Sequence, residues 1–163
     1  MINIDRPIAP PQSLQKPEIQ QYLQDLQNFR AGILLDQPKK PGSYRSSDLL
    51  DAFEDVFFSK CWLTEKKFND TAELEVDHLV PQGEAPDRIY DWTNIYPIYS
   101  KANKIRPKST PKGGYLDPCS PEDDVEREIS YLLLPDGETI VFSTLDPSNV
   151  KALNTASLLD LVH

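Results

Sequence analysis

Fifteen prolines spread through 163 residues constrain this chain more than any other feature. Proline fixes φ and has no backbone donor, so it stands at the edges of helices and strands and signals extended connections between short elements. Pro7, Pro10 and Pro11, set among alternating Ile2, Ile4 and Ile8, predict an extended arm over residues 1–16. Pro17 occupies the first turn of a helical pattern, in which Ile19, Tyr22, Leu23, Leu26 and Phe29 recur at steps of three and four before Gly32. Pro38, Pro41 and Gly42 mark a loop over residues 37–43. After it Ser47 is placed to cap a second helix carrying Leu49, Leu50, Phe53, Val56 and Phe57 on one side.

Residues 61–115 hold strand candidates at 61–63 and 74–78, a long polar loop and a short helix near 99–105, so the expected order is strand, strand, loop, helix. Beyond Tyr115 come an Asp117-Pro118 turn and the acidic run Glu122, Asp123, Asp124, Glu126 and Glu128. A hairpin then pairs residues 129–134 with 139–143 around Pro135-Asp136-Gly137, and Val150, Leu153, Leu158 and Leu161 suit a closing helix. The expectation is one α+β domain: an arm (1–16), a helical segment (17–60), a core (61–115) and an acidic extension (116–163) packed on that core.

The net charge of −9 argues against a general nucleic-acid coat, because phosphate binding draws on clustered Lys and Arg. Its distribution matters more. Residues 1–114 carry 15 basic and 16 acidic side chains, whereas residues 115–163 carry 2 and 10. No stretch reaches the roughly 18 apolar residues of a membrane span, and the N-terminus has no basic region followed by an apolar one, so a cytoplasmic location is expected. Cys61 and Cys119 are read as free thiols, and Cys119 as a small packed residue rather than a nucleophile.

Of two histidines, His163 is the last residue, so imidazole chemistry rests on His78. It lies in Glu75-Val76-Asp77-His78-Leu79-Val80-Pro81, with Asn94 in Trp92-Thr93-Asn94 and Asn103 in Ser100-Lys101-Ala102-Asn103-Lys104. In a regular strand Asp77 and His78 face opposite ways, and a strand ending before Pro81 lets them converge. Neutral imidazole, with an ordinary pKa of about 6.5, suits deprotonation of water, and the hard oxygens of Asp77 and Asn103 suit Mg²⁺ or Mn²⁺. Lys101, Lys104, Arg106, Lys108 and Lys112 follow with no acidic residue among them, a basic lip fit for a phosphate backbone.

Over residues 61–108 these motifs resemble the HNH nuclease family, in the version whose third member is Asn. The resemblance implies a ββα-metal core in which His78 is the general base, Asp77 and Asn103 hold one Mg²⁺ or Mn²⁺ ion, and Asn94 holds the loop and orients His78. It implies DNA as substrate, with RNA the other option. Many HNH domains also carry two Cys-x-x-Cys pairs around a structural zinc. Here only Cys61 stands in such a place, with Thr64, Tyr99 and Ala102 in the others, so no structural zinc is expected and packing by Trp62, Tyr96 and Tyr99 is expected to hold the knuckle. The Ile4-Asp5-Arg6-Pro7 arm and Leu116-Asp117-Pro118 turn resemble the HNH subunits of Septu-type and some retron-linked anti-phage systems, which implies a partner such as a PtuA-like ATPase. The alternative is a weak or inactive HNH-like module that binds or regulates through a protein partner.

Overall fold

The three- and four-residue spacing of Ile19, Tyr22 and Leu26 becomes one buried stripe of helix α1 (Pro17–Arg30). The same logic buries Leu49, Phe53 and Phe57 on α2 (Ser47–Phe57). In this computed structural model, which describes residues 1–42 and 45–163, both stripes meet a single core. Ser43, the last residue of the expected loop, lies outside the described residues. Ser46 rather than Ser47 stands at the N-cap of α2, and its hydroxyl donates to Ser13 Oγ at 2.6 Å instead of capping the helix. Within the arm, residues Gln12–Gln15 tighten into one 3-10 turn that buries Leu14.

The middle of the chain departs from the expected order. Residues 61–63 form a turn, not a strand, closed by an isolated bridge between Lys60 and Lys67. The strands are β1 (Leu74–His78) and β2 (Ile95–Tyr99), antiparallel, with Asp77 opposite Tyr96 and His78 opposite Ile95. The observed order is therefore strand, loop, strand, helix, with α3 (Ser100–Ile105) following β2 directly. β2 gave no alternating signal because Ile95, Tyr96 and Ile98 are all buried, and Pro97 reads as a breaker. A two-stranded ribbon accepts the proline because each strand has one edge outside the ladder.

Rings fill the space between α2 and this ribbon. Phe53 stacks on Trp92 at 6.0 Å, Phe57 meets Tyr96 at 5.8 Å, and Trp62 lies 5.1 Å from Tyr96. Burying each such side chain contributes about 2–3 kcal/mol, which holds the 61–67 knuckle by packing. Tyr99 joins from the rim, with Lys66 Nζ 3.6 Å from its ring centre.

In the C-terminal third, α4 (Val125–Glu128) leads into a hairpin of β3 (Ile129–Leu133) and β4 (Ile140–Thr144). Its tip closes on Gly137 at φ 74 and on Asp136, whose carboxylate accepts from Glu138 N and Thr139 N. Helix α5 (Val150–Val162), capped by Asn149, sends Leu158 and Leu159 into the main core. The molecule is thus a mixed α+β fold with five α-helices and two small antiparallel sheets among the described residues. No helix among them is long and apolar enough to cross a membrane.

The N-terminal arm ties the ends together. Ile4 N donates to Pro118 O at 2.8 Å, Asn3 Nδ2 to Asp124 at 2.8 Å and Asn3 N to Glu126 at 3.0 Å. Asp123, only 8 % exposed, accepts from Asp117 N and pairs with Lys151 at 2.9 Å. Part of the acidic run is therefore structural rather than solvated.

Candidate active site

β1 ends at His78, where Pro81 stops the strand and a loop of residues 79–94 folds back over it. Asn94 fixes that loop. Fully buried, it accepts from Val80 N at 2.8 Å and donates to Val80 O at 3.0 Å and Arg88 O at 3.3 Å, while its own carbonyl accepts from Leu79 N. Its side chain makes no direct bond to His78; it shapes the turn that follows the histidine.

His78 is 4 % exposed. Its Nε2 lies 3.0 Å from Ile89 O, and because a carbonyl only accepts, Nε2 carries the proton. Nδ1 is then the unprotonated nitrogen, 3.3 Å from the Gln82 side-chain amide that donates to it. Burial lowers the imidazole pKa below its ordinary 6.5, with the Ile89 bond and the Asp77 charge acting against that. The ring is neutral near pH 7 in the tautomer a general base needs.

Asp77, 7 % exposed, lies opposite Tyr96 in the ribbon and reaches Arg106 and Trp62. Oδ1 accepts from Arg106 Nη1 at 2.8 Å and Oδ2 from the Trp62 indole at 3.2 Å. Burial raises the carboxyl pKa, opposed by the Arg106 guanidinium and these hydrogen bonds. Asn103, on α3, donates from Nδ2 to Glu75 Oε2 at 2.6 Å.

Asp77, His78, Gln82, Asn103 and Lys108 all line one cleft of about 210 Å³. Among the described residues no three His, Cys, Asp or Glu side chains gather as a metal-holding group, so a cation here would rest on one carboxylate and one amide oxygen. Such a donor set fits a hard divalent ion. A carboxylate offers about four lone-pair positions, of which Arg106 and Trp62 use two, and Asn103 keeps Oδ1 as an acceptor.

The expected basic lip needs one correction. Lys101, Lys104, Lys108 and Lys112 are exposed, but Arg106 is 5 % exposed and belongs to the interior. Its fork reaches Asp77, His78 O at 2.9 Å and Leu79 O at 2.8 Å, pinning the end of β1, because a buried carboxylate and two strand-end carbonyls must find donors. Lys108 caps α3 through Asn103 O at 2.8 Å. The resemblance did not point to Arg106 as an anchor or to Gln82, while Glu75 reads in the sequence as a strand residue that could also assist metal binding. Cys61 and Cys119 are free, and burial pushes the Cys119 thiol up, which suits a packed residue. No protein-family model, curated protein or solved structure matches the chain.

Proposed function

We propose that this chain is a metal-dependent endonuclease of the HNH kind that hydrolyses phosphodiester bonds, with DNA as its substrate. The observation that carries the reading is the state of His78: Nε2–H is given to Ile89 O, and the accepting Nδ1 belongs to a side chain that lines the same cleft as Asp77 and Asn103. The succession β1, loop, β2, α3 supports a ββα core at residues 61–115.

Asp77 and Asn103 are the residues that would hold Mg²⁺ or Mn²⁺, which supplies positive charge to the phosphate oxygens when bound. The rest of the chemistry belongs to the chain. Once the Gln82 amide turns away from it, His78 Nδ1 accepts the proton of a water, whose oxygen attacks phosphorus as the bond to the leaving oxygen breaks. Ile89 O holds the imidazole by Nε2 and stabilises the imidazolium that forms. Arg106 keeps Asp77 and the end of β1 in place, and Lys101, Lys104, Lys108 and Lys112 offer positive charge to the flanking backbone. Incubation with plasmid, single-stranded DNA and RNA in Mg²⁺ or Mn²⁺ tests the reading. Cleavage that EDTA abolishes supports it, and no cleavage of any substrate with either ion counts against it.

A second reading, an HNH-like module that binds without cutting, draws on Arg106, whose guanidinium already neutralises the carboxylate a cation would use. We also infer a protein partner, in keeping with an anti-phage effector subunit that works with an ATPase. The acidic surplus after Tyr115 and the exposed Tyr131, Leu132 and Leu133 on the hairpin support this. Purification of the tagged chain from its native host, with partners identified by mass spectrometry, tests that point.

A further inference from the structure

We propose that Glu75 is a positioning residue that sets which end of the Asn103 amide is left to bind a cation; the inference rests on the metal-dependent reading above. An amide side chain has a donor end and an acceptor end of nearly the same shape, and only the oxygen can ligate a hard cation. Something must choose between them. An ionised carboxylate accepts and cannot donate, so the Asn103 atom 2.6 Å from Glu75 Oε2 is Nδ2, and Oδ1 occupies the other end of the amide.

The fold makes this contact from sequence periodicity. Period two places Glu75 and Asp77 on the same face of β1, and α3 packs on both strands of the ribbon. Asn103 is thereby brought over Glu75, while Asn103 and Asp77 line the cleft and Glu75 does not. Glu75 is half-buried, which strengthens a charge-assisted hydrogen bond relative to one in open water. The arrangement is that of an outer residue orienting an inner ligand: Asp77 and Asn103 would touch the ion, and Glu75 would act only through Asn103.

The full-length chain can be titrated with Mn²⁺ alone, following the electron paramagnetic resonance signal of the free ion, in the wild type, Glu75→Gln and Glu75→Leu. Gln removes the charge and, having a donor end as well as an acceptor end, holds the Asn103 amide with either end turned toward it, which leaves Oδ1 to the cation about half the time; Leu removes the contact altogether. Orientation predicts that Leu weakens Mn²⁺ binding roughly tenfold and Gln less than about threefold, the scale typical of outer-shell changes. The Mn²⁺ concentration for half-maximal cleavage should move in the same ratio, with kcat at saturating Mn²⁺ little altered. Equal losses in Gln and Leu would overturn the proposal in favour of a simple charge effect, and unchanged binding in Leu would overturn it outright. Should Leu impair folding, seen in its thermal melt, Glu75→Met is read by the same criterion. A wild type that binds no Mn²⁺ would instead contradict the metal-dependent reading itself.

Discussion

His78 and Asn94 carry the site at the scale of single residues, and the structure assigns them different work. His78 titrates and Asn94 does not. Because burial depresses the His78 pKa, the unfolded chain takes up a proton near pH 6.5 before the folded one does. This group therefore contributes its full stability above pH 6.5 and loses it as pH falls from there toward the lower folded value. The same depression moves the acid limb of the pH–rate profile below 6.5, which initial rates between pH 5 and 8 would check. An acid limb above 6.5 would show that the base is not a buried imidazole. Asn94→Ala strands Val80 N and Val80 O together, and at about 1–3 kcal/mol for each unsatisfied group the expected loss in urea unfolding is about 2–6 kcal/mol. Asn94 and His78 were both legible in the sequence by type and spacing. Their partners were not, since Ile89 O and Gln82 enter through loop geometry that no pattern of residues encodes.

Elements show which parts of the fold periodicity could reveal. Helices α1 and α2 follow from apolar spacing, because each buries one face and exposes another. The hairpin follows from its Pro135-Asp136-Gly137 turn rather than from a buried face, and α5 forms where expected but buries Ala152, Thr155, Ala156, Leu158 and Leu159 while Val150, Leu153 and Leu161 lie exposed. β2 was hidden, since a strand buried on both faces does not alternate and Pro97 looks like a stop. Arg106 was misplaced for a related reason: in sequence it belongs to a basic run, but α3 ends just before it and turns its side chain back to β1. Removing it tests the element as a whole. Arg106→Ala leaves Asp77 buried without its counter-ion and two strand-end carbonyls without donors, and should cost about 3–5 kcal/mol by chemical denaturation. Arg106→Lys should recover only part of this, because an ammonium cannot reproduce the fork. A loss below about 1 kcal/mol in the alanine variant, a surface-charge effect, would show that Arg106 is not an anchor.

Across the whole molecule, the placement of charge matters more to nucleic-acid binding than its sum. The net charge is −9, yet Lys101, Lys104, Lys108 and Lys112 are exposed and Lys108 lines the cleft, while Asp123, Asp124 and Glu126 are engaged by Lys151 and the N-terminal arm. Neutralising that run would loosen the arm as well as change the surface, so the lysines are the cleaner probe. Lys101, Lys104 and Lys112 replaced together by Ala should weaken DNA binding and flatten its salt dependence by up to about three times the 0.9 slope of a single phosphate contact, read by fluorescence anisotropy. An unchanged slope would place the nucleic acid elsewhere. The central claim is that His78 is the base of a hydrolytic site rather than a buried structural histidine. Single-turnover cleavage of DNA at saturating Mn²⁺ tests it most directly, comparing the wild type with a His78→Ala variant whose circular dichroism confirms that it folds. The account predicts a rate at least about 100-fold lower in the variant. A folded His78→Ala protein that cuts at the wild-type rate would contradict it.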